Sequence, residues 1–170
     1  GYPWFLKDWG GTFDITKRNF DFKEICEETY AVHALKIPKN VRFVFDQGSQ
    51  PVTVFSDPKR VVQVISNFLT NAIKFTSEGE IKLAYKVSND EIRVSVSDTG
   101  MGISEEDCRT ISIALLSWTL ANKYRIRIGD LQKYYRETRG TNRGRIYIGS
   151  RSTFWFTLPL KEIKENEPKF

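Results

Sequence analysis

The sequence predicts an α/β fold, a sheet with helices on one face, and three stretches carry that prediction. DPKRVVQVISNFLTNAIKF (57–75) has the spacing of a long amphipathic helix. EIKLAYKV and EIRVSVS alternate apolar and polar residues and are joined through Ser88-Asn89-Asp90, a strand–turn–strand pattern. STFWFTLP (152–159) supplies a further strand. One core is the default for 170 residues that are 40% hydrophobic.

Residues 1–20 show no clear period and are expected to be an arm or linker. FDFKEICEETYAVHALKI (20–37) fits a helix through Phe22, Ile25, Cys26, Val32 and Leu35, stopping before Pro38. VRFVFDQ and VTVF, separated by GSQP, are expected to pair antiparallel. In the next helix Asp57 is a good N-cap and Pro58 takes the first position, where its missing N–H costs nothing. Val61, Ile65, Phe68, Leu69, Ala72 and Ile73 form its apolar stripe, with Arg60, Gln63, Asn67, Asn71 and Lys74 on the other side. Arg145 to Gly149 is expected to be a short strand and KEIKENEPKF a charged tail.

Composition narrows the function classes. Cys26 and Cys108 give no paired ligand spacing and no disulfide framework, and the single His33 excludes a multi-histidine metal site. No apolar run approaches the roughly 18 residues of a membrane span, and no signal-peptide pattern opens the chain. The net charge of +5 collects in 123–145 while the patterned parts mix both signs, so nucleic acid is not the expected partner.

Two groups of residues could carry chemistry. Asn67 and Asn71 project from one helical face, and Lys74 follows within a turn. An amide oxygen suits Mg²⁺ and a lysine ammonium suits phosphate, although a solvent-facing polar stripe would read the same way. Asp98-Thr99-Gly100-Met101-Gly102 places a carboxylate at a strand end, where it can accept from an exocyclic amine, beside glycines that let a flat ligand approach. A tight Asx-stabilised turn is the plain alternative. Neither a Walker loop nor a complete GxGxxG occurs.

NFLTNAIKFT followed by two strands and DTGMGI resembles the ATP-binding domain of sensor histidine kinases, within the superfamily that includes DNA gyrase and Hsp90-type chaperones. NxxxNAxKF is similar to that family's N box and DxGxGI to its first glycine box. The resemblance implies a Bergerat-type fold, a two-layer α/β sandwich whose mixed sheet is covered on one face by helices. It implies ATP and Mg²⁺ as ligands, with Asn71 holding the metal and Lys74 touching phosphate. Asn67 would line the metal and γ-phosphate region, Asp98 would accept from the adenine amino group, and Gly100, Gly102 and Ile103 would shape the turn beside the base. Thr153 resembles the threonine that closes the base pocket. The implied domains are 1–12, a remnant of an upstream dimerisation helix or linker; 13–160, the ATP-binding domain; and 161–170, a charged tail or linker.

The implied activity is transfer of the γ-phosphoryl of ATP to a histidine on upstream dimerisation helices of a homodimeric parent. A response-regulator receiver domain would take it next. A cytoplasmic location is implied, with membrane anchoring of the parent left open. His33 lacks the flanking acidic pattern of an acceptor. Two other readings stay open: a gyrase- or chaperone-like ATPase, against which Asn67 stands where a water-activating glutamate is usual, and a degenerate interaction domain. The last is suggested by Ser112–Asn142, which lacks the aromatic F box and the second glycine box of the family and holds only the isolated Gly129 and Gly140. That segment is either a divergent lid or the product of compensating frame displacements, which the other reading frames of the coding DNA decide.

Overall fold

The computed structural model describes residues 16–46, 51–88, 90–102, 125–127 and 151–160. Among them the order is β1 (Arg18–Asp21), α1 (Phe22–Ala34), β2 (Val41–Asp46), β3 (Thr53–Ser56), α2 (Pro58–Phe75), β4 (Gly79–Val87), β5 (Glu91–Asp98), β6 (Arg125–Arg127) and β7 (Ser152–Pro159). A five-stranded sheet has the order β2-β4-β5-β7-β6, and β1 pairs with β3 in a separate ribbon. β2 runs parallel to β4, while β4–β5, β5–β7 and β6–β7 are antiparallel, so the sheet is mixed.

Alternation in the central strands decides where the core sits. Ile81, Leu83 and Tyr85 of β4, Ile92, Val94 and Val96 of β5, and Phe154, Phe156 and Leu158 of β7 are all buried. Phe68 of α2 packs its ring 5.3 Å from Phe154 and 6.1 Å from Phe156, and Phe22 of α1 meets Tyr85 edge-on at 5.4 Å. The helices therefore cover that one face, giving the two-layer α/β sandwich. The opposite face carries polar pairs: Arg42 with Glu80, Lys82 with Asp46 at 2.8 Å, and the Arg93 guanidinium 3.7 Å over the Trp155 ring.

α2 forms as its sequence dictates. Asp57 Oδ1 accepts from the N–H groups of Lys59 and Arg60 at 3.0 and 3.4 Å, satisfying donors that the first turn leaves unpaired. Its other oxygen accepts from the Thr16 N–H at 3.0 Å, fixing the incoming chain to the helix start. Val61, Val64, Ile65, Phe68, Leu69 and Ala72 are buried, and each large apolar side chain contributes roughly 1.5–3 kcal/mol to the core.

Three expectations change. VRFVFDQ and VTVF do not pair with each other: β2 lies parallel to β4, with Val41 opposite Gly79, and β3 pairs with β1. A turn-rich spacer is a local signal, whereas partner choice follows burial, and β2 carries partly buried Phe43, Val44 and Phe45 on consecutive positions that suit a large sheet better than a ribbon. The α1 face also differs. Its buried stripe is Phe22, Cys26, Thr29 and His33, while Val32 and Leu35 are 56% and 90% exposed. Thr29 and His33 tolerate burial because they bond within the helix: the Thr29 hydroxyl donates to the Ile25 carbonyl at 2.7 Å and His33 Nδ1 to the Thr29 carbonyl at 2.8 Å. Finally, the expected arm contains β1 from Arg18. The expected strand at 145–149 and the tail at 161–170 lie outside the described residues.

Candidate functional site

The last turn of α2 and the turn after β5 are built against each other. α2 ends at Phe75, and Thr76 leaves the helix in an extended conformation. A helix end leaves carbonyls without intrahelical donors, and here the Phe75 carbonyl accepts from the Met101 N–H at 3.1 Å. Gly100 permits this approach: a Cβ at that position would run into the Phe75 carbonyl and lie 2.7 Å from Thr76 Oγ1. Gly102 takes φ +80°, where side chains are disfavoured. The glycine spacing thus serves one close contact and one left-handed turn residue.

Asp98 sits at the end of β5, 4% exposed. Burial pushes its carboxyl above the ordinary carboxylate range, opposed by the Gly100 N–H, which donates to Oδ1 at 2.9 Å, and by the neighbouring Thr76 hydroxyl. That hydroxyl is near enough to favour the anion without closing a hydrogen bond of ordinary geometry. A desolvated carboxylate beside an open-backbone turn is an acceptor kept away from competing water, a feature typical of binding sites.

Asn71, one turn before the helix end, is also 4% exposed, and its Oδ1 has no donor among the described residues. An orphaned buried acceptor costs about 1–3 kcal/mol, so it signals a partner beyond the described residues. A neutral, preplaced oxygen fits a hard, oxygen-preferring cation such as Mg²⁺. Among the described residues no cluster of three or more His, Cys, Asp or Glu could hold a metal alone. Asn67 is half-buried one turn earlier, and Lys74 is exposed with its ammonium 5.3 Å from the Phe75 ring centroid.

Asn71, Lys74, Asp98, Gly100 and Gly102 therefore belong to two segments fastened at Phe75 and Met101. Ile103 lies outside the described residues. Thr153 pairs with Ser97, on the face turned away from α2, whereas the buried Ser152 stands across from Asp98. Sequence reasoning missed Thr76, Thr99 and Ser152. Thr76 directly follows NAIKF, but the partner of Thr99 is 19 residues away on β4 and no local spacing reveals it. His33 is buried with Nδ1 engaged, so it is an ordinary helix residue. The second glycine box region, 112–142, contributes only the β6 backbone to the described residues.

Comparison with known proteins agrees with this fold. Residues 56–162 match the family described as histidine kinase-, DNA gyrase B- and HSP90-like ATPase. Hybrid signal transduction histidine kinase B of Dictyostelium discoideum is 26% identical over 165 residues, covering 88% of this chain and 8% of that protein. Sensor histidine kinase RcsC of Escherichia coli is 37% identical over 98 residues, 55% of this chain and 10% of that one. The chain thus spans a tenth or less of the length of these relatives. Among solved structures, the catalytic domain of histidine kinase ThkA superposes with TM-score 0.63 at 26% identity, covering 86% of this chain and 96% of that one. ThkA has also been solved in complex with the response regulator protein TrrA. With more than half of its residues inside the family match, and with the fold and site geometry to go with it, this chain belongs to the histidine kinase-, DNA gyrase B- and HSP90-like ATPase family.

Proposed function

We propose that the chain is the ATP-binding, catalytic part of a two-component sensor histidine kinase, supplying the γ-phosphoryl of ATP to a histidine on helices of an upstream domain. The observation that carries this reading is the junction of α2 with the Asp98 turn, where an orphaned amide oxygen and a desolvated carboxylate are both held ready. Asp98 accepts from the adenine amino group, and Gly100, Gly102 and Ile103 admit the base. Asn71 Oδ1 is the protein ligand to Mg²⁺, which when bound neutralises phosphate charge. Lys74 adds a cation toward the phosphates, and Asn67 lines the γ-phosphate side. Phosphoryl transfer asks for positioning and charge neutralisation more than covalent chemistry, which suits this residue set.

The acceptor lies outside this chain, since His33 is buried and bonded. The isolated chain accordingly binds nucleotide without phosphorylating itself. Its partners are dimerisation and phospho-acceptor helices preceding residues 13–160, in a homodimer, and then a response-regulator receiver domain. The ThkA–TrrA complex supports that last partner type. The domain acts in the cytoplasm, and no described helix is long and apolar enough to cross a membrane. Asn67, which takes up no proton from water at neutral pH, favours phosphotransfer over the steady hydrolysis of a gyrase-like ATPase.

Calorimetric titration with ADP and Mg²⁺ tests the proposal. Binding is expected, weakened by the missing second glycine box, and lost on chelation of Mg²⁺ more than from any other ion removed. No heat at near-millimolar protein and ligand would instead favour a fold that has kept its sheet and lost its nucleotide.

A further inference from the structure

We infer that Thr99 is the positioning residue that sets Asp98 for reading the purine, a step that rests on the proposed function and goes beyond it. Thr99 lies between Asp98 and Gly100 and is held to β4 at two points. Its N–H donates to the Glu80 carbonyl at 3.0 Å, and its Oγ1 accepts from the Glu80 N–H at 2.9 Å. Oγ1 also lies 3.5 Å from the Glu80 carbonyl, toward which its own proton can turn. Beyond Ile81 and Asp98 the side chain of Thr99 therefore supplies one of the two bonds that would continue the β4–β5 ladder, and its backbone N–H makes the other.

The space for this clasp is provided by Gly79. It takes φ +108°, and a Cβ there would collide with Thr99 Oγ1. Gly79 is itself fixed by its N–H donating to the Asn40 carbonyl at 3.2 Å, next to the start of β2. The frame holding Thr99 thus runs through three strands and is independent of the contact between Phe75 and Met101. Asp98 is pinned from one side by Gly100 on its own Oδ1 and from the other by the strand clasp of its next neighbour. Such two-sided support is what a specificity-determining carboxylate needs to keep its oxygen within a few tenths of an ångström of a ligand amine.

A merely structural role would weaken every nucleotide equally, whereas a positioning role acts on the part of the ligand that Asp98 reads. The chain is titrated with ADP and with inosine diphosphate, which carries a 6-oxo group in place of the 6-amino group, and melting is followed alongside. Wild type prefers ADP by roughly tenfold or more, because the oxo group leaves a buried acceptor facing an acceptor. Thr99→Val, close in shape but without the hydroxyl, brings the ratio toward unity, and Thr99→Ser keeps it. Thr99→Ala, which removes the hydroxyl without adding volume, behaves as Thr99→Val and serves if that variant does not fold. A wild-type ratio in folded Thr99→Val or Thr99→Ala, or a ratio lost in Thr99→Ser, overturns the inference alone. Wild type that binds neither nucleotide overturns the proposed function and this inference with it.

Discussion

Replacing Asp98 by Asn should move stability and affinity in opposite directions. Asp98 is almost wholly buried, and desolvation raises its carboxyl above the usual range. A folded-state pKa above the unfolded value means that the unfolded chain ionises first as pH rises. Stability is therefore lost through the window from the ordinary carboxylate range, about pH 4, up to the raised folded value, and the loss stays constant above it. Asn keeps an oxygen for the Gly100 N–H and carries no charge, so the variant should be more stable at pH 7.5, by about 0.5–2 kcal/mol, the usual yield of relieving such a site. For a domain of this size that is a rise of a few degrees in Tm. The advantage should vanish toward about pH 2.5, below both pKa values, where the acid is protonated in both states. A hydrogen bond from adenine to a carboxylate contributes about 1.5–3 kcal/mol, so ADP affinity should fall roughly 10- to 150-fold. Wild-type affinity should also weaken as pH drops through the raised pKa, and the variant should show no such dependence. Scanning fluorimetry at the two pH values and calorimetry with ADP supply the readouts. A lower Tm at pH 7.5 would refute the desolvation account, and an unchanged affinity would refute the role of Asp98 at the base.

Gly100→Ala should force the turn away from α2. Overpacking costs about 1–3 kcal/mol and the Met101–Phe75 bond about 1 more, so a loss of roughly 2–4 kcal/mol in urea unfolding is expected, together with loss of ADP binding. Asn71→Ala removes an acceptor with no donor among the described residues but also buried packing, and the two effects offset, so stability should change by less than about 1 kcal/mol while ADP affinity loses its dependence on Mg²⁺ in paired titrations. Phe68→Ala empties the space against Phe154 and Phe156 and should cost about 3–5 kcal/mol by chemical denaturation. Mutating His33 to Gln, in contrast, should leave phosphorylation of an added acceptor domain unchanged when followed with labelled ATP.

The helix at 58–75, the β4–β5 hairpin and β7 were legible because their signals are periodic and local: cap, stripe, alternation, turn. The two segments of the candidate site stood out for the same reason, each being a short run with unusual residue types at fixed spacing. Partner choice was not. Whether β2 meets β3 or β4 depends on burial summed over the whole sheet, which no window of the sequence contains. The buried side of α1 misled because its inward residues include Thr29 and His33, whose polar atoms are satisfied by backbone one turn away. Thr99 and Ser152 depend on register between strands far apart in sequence, and a single strand carries no record of which neighbour it faces.

Asp57 ties the first turn of α2 to the backbone at Thr16, 41 positions earlier, and this bears on where the domain can be cut. The family match starts at residue 56. A fragment trimmed to that limit would keep both segments of the candidate site yet discard Phe22, Cys26 and Val54, stripping one wall from the interior. It would also take the Thr16 N–H away from the helix-capping acid. Recognisable homology and the smallest piece able to hold itself together are, for this polypeptide, different stretches of chain.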